Sequence, residues 1–453
     1  MNLRTVLFCL AAATSSGGVL YAQFTIEGPG VNPGDFEITE FASGLNFPVG
    51  MSELSDGSII VGVSNGSFFG STSGSILRLE DSDGDGVADV TTTLVENVPG
   101  GKLSGLRVAG DLVFATGQGG GVPISIYRFG ANVSDPLTPV GSMSIQYPGG
   151  GWLHPHSALA VRESTDVPDA VELFFQLGSK VNFAETTGRM PTLTSTVGLS
   201  GTIEGDSIYR ARLSDDGTNV AGIDLIQIAD GLRNAAGMDF HPVTGDLYLQ
   251  DNGIDGLSDP NEPHSADELN VIASASIGGA IDDFGFPESY TAYRTGEEVG
   301  GTGIAPLVAF QPIDGSEGEG PNDIAFAPRQ FPAALRNGVF VGMHGKFSLG
   351  GVSNEENPLV FVDLDDYSYF YFVDNDEPAV GHLDGLLATD DSLFVADISP
   401  RGGFSIRNTG KIYKIRSLAL PGDFDGDRSY SCADVDGLVA EIAAGRDLSL
   451  IHI

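Results

Sequence analysis

Along most of the chain, apolar residues alternate with small or polar ones in short bursts, and the bursts come in pairs separated by a tight polar turn. Residues 50–63, 105–116, 157–177, 237–251, 322–342 and 385–397 all follow this plan. Five of the six open on or near a glycine and run through a strand, a turn and a second strand. Alternation of period two marks strands, and Asp-Gly or Thr-Gly-Asp between two such runs marks hairpins. Further strands are expected at 75–80, 125–129, 207–213, 359–364 and 410–415. The span 24–417 divides into six units of about 66 residues, longer than compact blades, so long insertions are implied. One small antiparallel sheet cannot bury both faces alone, whereas six arranged radially can. The expected fold is all-β, a six-bladed β-propeller; a pair of β-sandwiches is the competing arrangement, but it lacks a hairpin recurring at the head of each unit.

The two ends break this pattern. Residues 1–22 carry an early Arg4, an apolar stretch and a small residue at Ala22, the plan of a secretion signal, so a secreted or periplasmic chain is expected. Residues 418–447 hold an Asp-rich loop and then a helical pattern with Val435, Leu438, Val439 and Ile442 on one face. Residues 448–453 match the translated end of a sequencing adapter and are set aside as an artefact.

Composition narrows the possibilities. Asp and Glu number 61 against 22 Lys and Arg, a net charge of −39, and glycines number 63 of 453 residues. With 41% apolar residues the chain is not a disordered polyanion. Its charge disfavours nucleic acid and anionic lipid as partners. After the N-terminus no apolar run is long enough for a membrane span.

Two loops carry the spacing of oxygen-rich cation sites. Asp81, Asp83, Asp85 and Asp89 crowd four carboxylates into nine residues with glycines between them; a structural Ca2+ between two strands of the first blade is expected, an ordinary polar turn being the alternative. Asp423, Asp425, Asp427, Ser429 and Asp434 stand at positions 1, 3, 5, 7 and 12 of a loop that leads into a helix, the order of a calcium-wrapping loop. This second stretch resembles the first half of a dockerin-type repeat, although Arg428 replaces the usual glycine. The resemblance implies a cohesin-like partner for a complete module.

The densest chemistry lies between residues 231 and 287: Gly231-Leu232-Arg233-Asn234, His241-Pro242, Asp251-Asn252-Gly253, Asp267-Glu268-Leu269-Asn270 and Phe284-Gly285-Phe286-Pro287. This order resembles the glucose/sorbosone dehydrogenase family, propellers that oxidise sugars with calcium-bound pyrroloquinoline quinone (PQQ). The resemblance extends more weakly over 36–416. It implies that Arg233 and Asn234 contact the quinone, that Asn252, Gly253 and Ile254 supply oxygens around the cofactor calcium, and that Glu268 binds a structural calcium. It places the catalytic base at His154, five residues before Leu159, with His156 as the neighbouring alternative. Lys346 is matched to a cofactor-binding lysine. The sequence departs from the family where some members have an Arg-x-Arg pair, since His382-Leu383-Asp384 stands there.

Three functions follow. One is a PQQ-dependent dehydrogenase acting on an aldose or sugar aldehyde, with neutral His154 taking the C1 hydroxyl proton. The others are a non-enzymatic carbohydrate-binding propeller and a calcium-dependent lactonase-type hydrolase. Fold alone does not choose among them.

Overall fold

The structure, a computed structural model, describes residues 24–443 apart from 69, 118–120, 188–189, 258–261, 314–317, 346–355, 379, 402–405 and 419–430. The expected signal segment, Lys346, Asp423, Asp425, Asp427, Ser429 and residues 448–453 lie outside the described residues.

Six antiparallel sheets stand around one axis, as the six hairpins predict. Blade one is Met51–Glu53, Ile59–Ser64, Ser73–Glu80 and Val90–Pro99. Blade two is Gly105–Ala109, Leu112–Thr116, Pro123–Arg128 and Thr138–Gln146, widened by the hairpin Thr192–Ser195 and Ser200–Thr202. Blade three is Leu159–Glu163, Ala170–Leu177, Ser207–Asp215 and Val220–Asp230, with Asp282–Asp283 added in parallel. Blade four is Ala235–Phe240, Leu247–Asp251, Glu268–Ile272 and Val308–Ala309. Blade five is Pro321–Phe326, Gly338–Met343, Leu359–Asp363 and Tyr369–Val373. Blade six takes Leu383–Ala388, Ser392–Asp397 and Gly410–Ser417 from the end of the ring and its fourth strand, Phe36–Leu45, from the beginning. The ring is thereby closed by hydrogen bonds between residues more than 370 positions apart.

The first strand of each blade packs against the first strands of both neighbours, so six inner strands enclose the axis. That crowding explains the glycine at the head of the hairpins. A Cβ on Gly237 would sit 2.6 Å from Asp323 Cα, and one on Gly385 would sit 1.9 Å from Val49 O. Neither leaves room for a side chain.

Both faces of every blade are buried, which fits strands reading as near-continuous apolar runs. Phe174 and Phe175 are consecutive and both fully buried. Phe174 packs towards blade four and Phe175 towards blade two, because successive side chains point to opposite faces. Apolar clusters fill all six spaces between adjacent blades. Each fully buried aromatic contributes roughly 1.5–3 kcal/mol. A helix, Cys432–Ala443, follows the ring. Ser431 Oγ accepts from Ala433 N (3.0 Å) and Asp434 Oδ2 accepts from Ser431 N (2.5 Å), so Asp434 closes a capping box at the helix start. Among the described residues no helix is long and apolar enough to cross a membrane.

Candidate active site

First strands begin, and second strands end, at one face of the ring. The segments that lead into the first strands therefore meet the turns that follow the second strands around a common mouth. Blade four shows how the mouth is built. Asp251, the last residue of the second strand, accepts from Arg233 N (2.9 Å) and Asn234 N (2.5 Å). Blade six repeats the device, Asp397 accepting from Gly381 N (2.7 Å) and His382 N (3.1 Å). Asp267 ties blade four to blade five, accepting from Gly253 N (2.7 Å) and Gly320 N (2.9 Å).

These anchors gather the residues singled out in 231–287. Asn234 Nδ2 donates to Asn252 Oδ1 (2.5 Å), and Asn252 Nδ2 donates to Pro321 O (2.8 Å). Arg233 is 2% exposed. Its Nε donates to Asn182 O (3.1 Å), its Nη1 to Asn252 O (3.3 Å), and its Nη2 to Asn182 Oδ1 (2.8 Å). Nη2 also meets Asp255 Oδ2 at 2.7 Å. The Asp255 side chain is 67% exposed, so an outward-facing carboxylate occupies the guanidinium.

His154 reaches the same place from blade three. Its N–H donates to Ser179 O (3.0 Å), and Ser179 N donates to Arg233 O (2.7 Å). Gly178 allows this approach, since a Cβ there would lie 2.7 Å from His154 Cβ and 2.6 Å from Arg233 O. His154 Nε2 is buried and has no hydrogen-bond partner among the described residues. Burial, with the Arg233 charge second, pushes its pKa down to about 3, so the ring is neutral across the ordinary pH range. His156 is fully buried, and Tyr147 Oη lies 2.8 Å from its Nδ1. The Tyr147 hydroxyl also accepts from His156 N (2.8 Å). Burial also pushes the His156 pKa down to about 4, and its Nε2 too lacks a hydrogen-bond partner among the described residues, so what distinguishes His154 is its place beside Arg233.

Glu268 stands opposite Asp251 in the sheet register. It lines a shallow, open cleft with Arg233, Asn252, Gly253, Ile254, Phe286 and Tyr290. Burial first, then the nearby carboxyls of Asp251 and Asp267, pushes its pKa up to about 8. Asn270 Nδ2 donates to Glu268 Oε2 (3.3 Å), while Asn270 Oδ1 is buried and lacks a partner among the described residues. A half-buried acid with its charge disfavoured, beside an orphaned carbonyl oxygen, is chemistry that a hard cation would satisfy. Among the proposed cofactor-calcium oxygens, Asn252 O accepts from Arg233 Nη1 and Ile254 O from His264 N (2.8 Å). Asn252 O retains a second lone pair, whereas Ile254 O also accepts from Ser265 N (3.3 Å) and has both occupied.

Sequence reasoning offered Asn322 and Asp323 as inward-facing polar candidates for a lactonase-type metal but did not foresee the cations that meet them across the axis. Lys102, in the lead-in to blade two, reaches across the axis to Asn322 Oδ1 of blade five (2.9 Å) and Asp384 Oδ2 of blade six (3.1 Å). Asp384 is fully buried and also bonds His344 Nδ1. Burial pushes its carboxyl up, but the charges of His344 and Lys102 outweigh burial and hold it well below the usual range. Below this layer Arg107 of blade two meets Asp323 of blade five at 3.0 Å. Two ion pairs therefore cross the channel. The available signal was Lys102 itself, one of five lysines, sitting after two glycines at the head of a hairpin.

The first-blade loop lies between the third and fourth strands of that blade. Asp81, Asp83 and Asp85 bring carboxylate oxygens within 4.8 Å of one another. Asp81 accepts from Gly84 N (2.8 Å) and Gly86 N (2.9 Å). Asp89 instead accepts from Ser82 Oγ (2.8 Å) and stands outside the group.

No protein-family profile matches the chain. A Borreliella burgdorferi protein described only as uncharacterized is 34% identical over 128 residues; the match covers 27% of this chain and 30% of that protein. Among solved structures, the holo PQQ domain of pyranose dehydrogenase from Coprinopsis cinerea is similar with TM-score 0.57 and 13% identity, covering 88% of this chain and 99% of that one. The calcium structure of a Trichoderma reesei carbohydrate-active enzyme is similar with TM-score 0.55 and 16% identity, covering 89% and 99%. At these identities the likeness concerns the fold.

Proposed function

We propose that the chain is a sugar oxidoreductase that oxidises an aldose or sugar aldehyde at the mouth between blades three and four. One observation carries this reading: the neutral, unpartnered Nε2 of His154, held beside Arg233 by the Gly178 turn. A neutral imidazole nitrogen without a partner is suited to take a proton from a sugar hydroxyl. The charge of Arg233 would oppose the resulting imidazolium, so the proton is passed on to solvent rather than kept.

The donor set fits the cofactor that the resemblance implies. Arg233 already holds a carboxylate, and Asp255 stands where a carboxylate of PQQ would be held once that exposed side chain is displaced. Asn234 and Asn252 present polar atoms beside it. Asn252 and Gly253, with Ile254 once one of its two backbone hydrogen bonds is released, would furnish oxygens to the cofactor Ca2+, and Glu268 with Asn270 Oδ1 to a structural one. PQQ, when bound, supplies the two-electron acceptor for the hydride from the sugar carbon. The chain's own residues bind and orient the sugar, and His154 takes the proton.

The remaining expectations belong to the same reading: a secreted or periplasmic protein, a Ca2+ at Asp81, Asp83 and Asp85, and a cohesin-like partner for a complete dockerin. The test is reconstitution of the purified chain with PQQ and Ca2+, following dye reduction by a panel of aldoses. PQQ- and calcium-dependent reduction that His154→Ala abolishes is expected. No reduction by any aldose, with no spectral change of PQQ, would sink the proposal. The Arg233–Asp255 pair favours a second reading, a carbohydrate-binding propeller, which predicts sugar binding with no dye reduction.

A further inference from the structure

The turn after the second strand of blade three carries an apolar surface that the oxidation site does not use. Leu153, Val181 and Phe183 are 41%, 44% and 38% exposed. Leu153 adjoins the proposed base His154, and its N–H is bonded to Lys180 O (3.1 Å), which joins the two segments. Phe183 follows Asn182, and Asn182 is fixed from several sides. Its oxygens accept from Arg233, its Oδ1 also accepts from Asp255 N (2.9 Å), and its Nδ2 donates to Asp255 O (3.1 Å). The Phe183 ring rests on His264 (5.5 Å between centroids) and edge-on against Tyr290 (5.8 Å). His264 Nε2 and Tyr290 Oη are hydrogen-bonded at 3.0 Å, and Tyr290 lines the cleft that holds Arg233 and Glu268.

An aromatic held rigid yet exposed, bordered by polar groups and continuous with a polar cleft, is a binding surface. We propose that Phe183, with Leu153 and Val181, is the platform for the pyranose ring next to the reacting one, so that the substrate is the end of a glycan chain rather than a free monosaccharide. The proposal rests on the reading that a sugar is handled beside His154. Pyranose rings present a face of C–H groups that packs on aromatic and aliphatic side chains, while their hydroxyls reach polar groups at the rim, such as Tyr290 and His264. The charge of −39 favours a neutral glycan over an acidic one. Asn182 links platform and site, because the residue that fixes Phe183 also fixes the Arg233 guanidinium.

Calorimetry on the full chain with glucose, cellotetraose, maltotetraose and xylotetraose tests this. Emission from Trp152, the single tryptophan, half-buried 4.9 Å from Tyr147, gives a second readout at the mouth. At least one tetraose is expected to bind about tenfold more tightly than glucose, a difference in keeping with one well-packed ring contact. Phe183→Ala should bring that tetraose down towards the glucose value, and Leu153→Ser should weaken it in the same direction. Both positions are exposed, so both variants retain the fold. Equal affinity for glucose and every tetraose, or a tetraose preference that survives Phe183→Ala, overturns the platform and leaves the oxidoreductase reading standing. If neither glucose nor any tetraose gives heat or a change in emission, the platform falls, and the oxidoreductase reading is decided separately by dye reduction across the aldose panel.

Discussion

His154 is neutral because of what surrounds it: little water, a guanidinium nearby, and no partner on Nε2 among the described residues. A base must be unprotonated to act, and this one gains its proton only near pH 3, against 6.5 for an unperturbed histidine. The acid limb of kcat/KM is therefore expected near pH 3 wherever the fold survives, and a limb near 6.5 would argue against His154 as the base. The same shift costs stability. Below about 6.5 the unfolded chain binds a proton here that the folded chain refuses, so folding weakens as pH falls from 6.5 towards 3. His154→Ala should lower kcat by about 10²–10⁴-fold, the usual range for a positioned base. Asp255 allows a prediction of opposite sign. Its carboxylate occupies the guanidinium that an anionic cofactor needs, so Asp255→Asn should tighten PQQ binding, measured by spectroscopic titration. Unchanged or weaker binding would show that Arg233 does not meet the cofactor.

At the scale of elements, blades are joined both by apolar interfaces and by charged side chains that cross the axis. Lys102 is 6% exposed and Asp384 is fully buried, so removing one partner leaves a charge with little water to solvate it. Lys102→Met is expected to cost about 3–5 kcal/mol, seen as a lower urea midpoint, with part recovered in Lys102→Met/Asp384→Asn. A double variant as unstable as the single would mean that the lysine acts through packing alone. The blades themselves were legible because alternation, turn and glycine recur within about 15–20 residues, which is the range of a hairpin. Arg233, Asn234, Asn252 and Glu268 could be read because they lie close in sequence around one hairpin. The closing strand Phe36–Leu45 was not legible: its partner is at the far end of the chain, and a lone strand carries no register of its own. Nor was the Lys102 bridge, since Asn322 is 220 positions away and nothing local marks either residue as a member of a pair.

For the whole molecule, the placement of the cations matters as much as the excess of acid. Arg78, Arg107, Arg128, Arg210, Arg212 and Arg233 each have side chains at most 16% exposed, and each is engaged by carboxylates. Much of the positive charge thus holds strands and blades together from within. What faces water is correspondingly acidic, and acidic groups repel one another over the full ring. Screening acts on these two populations unequally. The Debye length shrinks from about 30 Å at 0.01 M to about 10 Å at 0.1 M, which weakens repulsion between exposed carboxylates but scarcely reaches the buried pairs. The melting temperature should therefore rise with NaCl over this range. A chain stabilised mainly by exposed ion pairs would do the opposite. Ca2+ at equal ionic strength should raise it further, since a cation bound only by the folded chain adds RT ln(1 + [L]/Kd), about 2.7 kcal/mol at a hundred times Kd. A melting temperature that falls with NaCl would place the balance with exposed pairs such as Arg329–Asp390. One that rises equally with NaCl and with Ca2+ would leave the Asp81 loop and the Glu268 cleft as acidic surface with no bound ion.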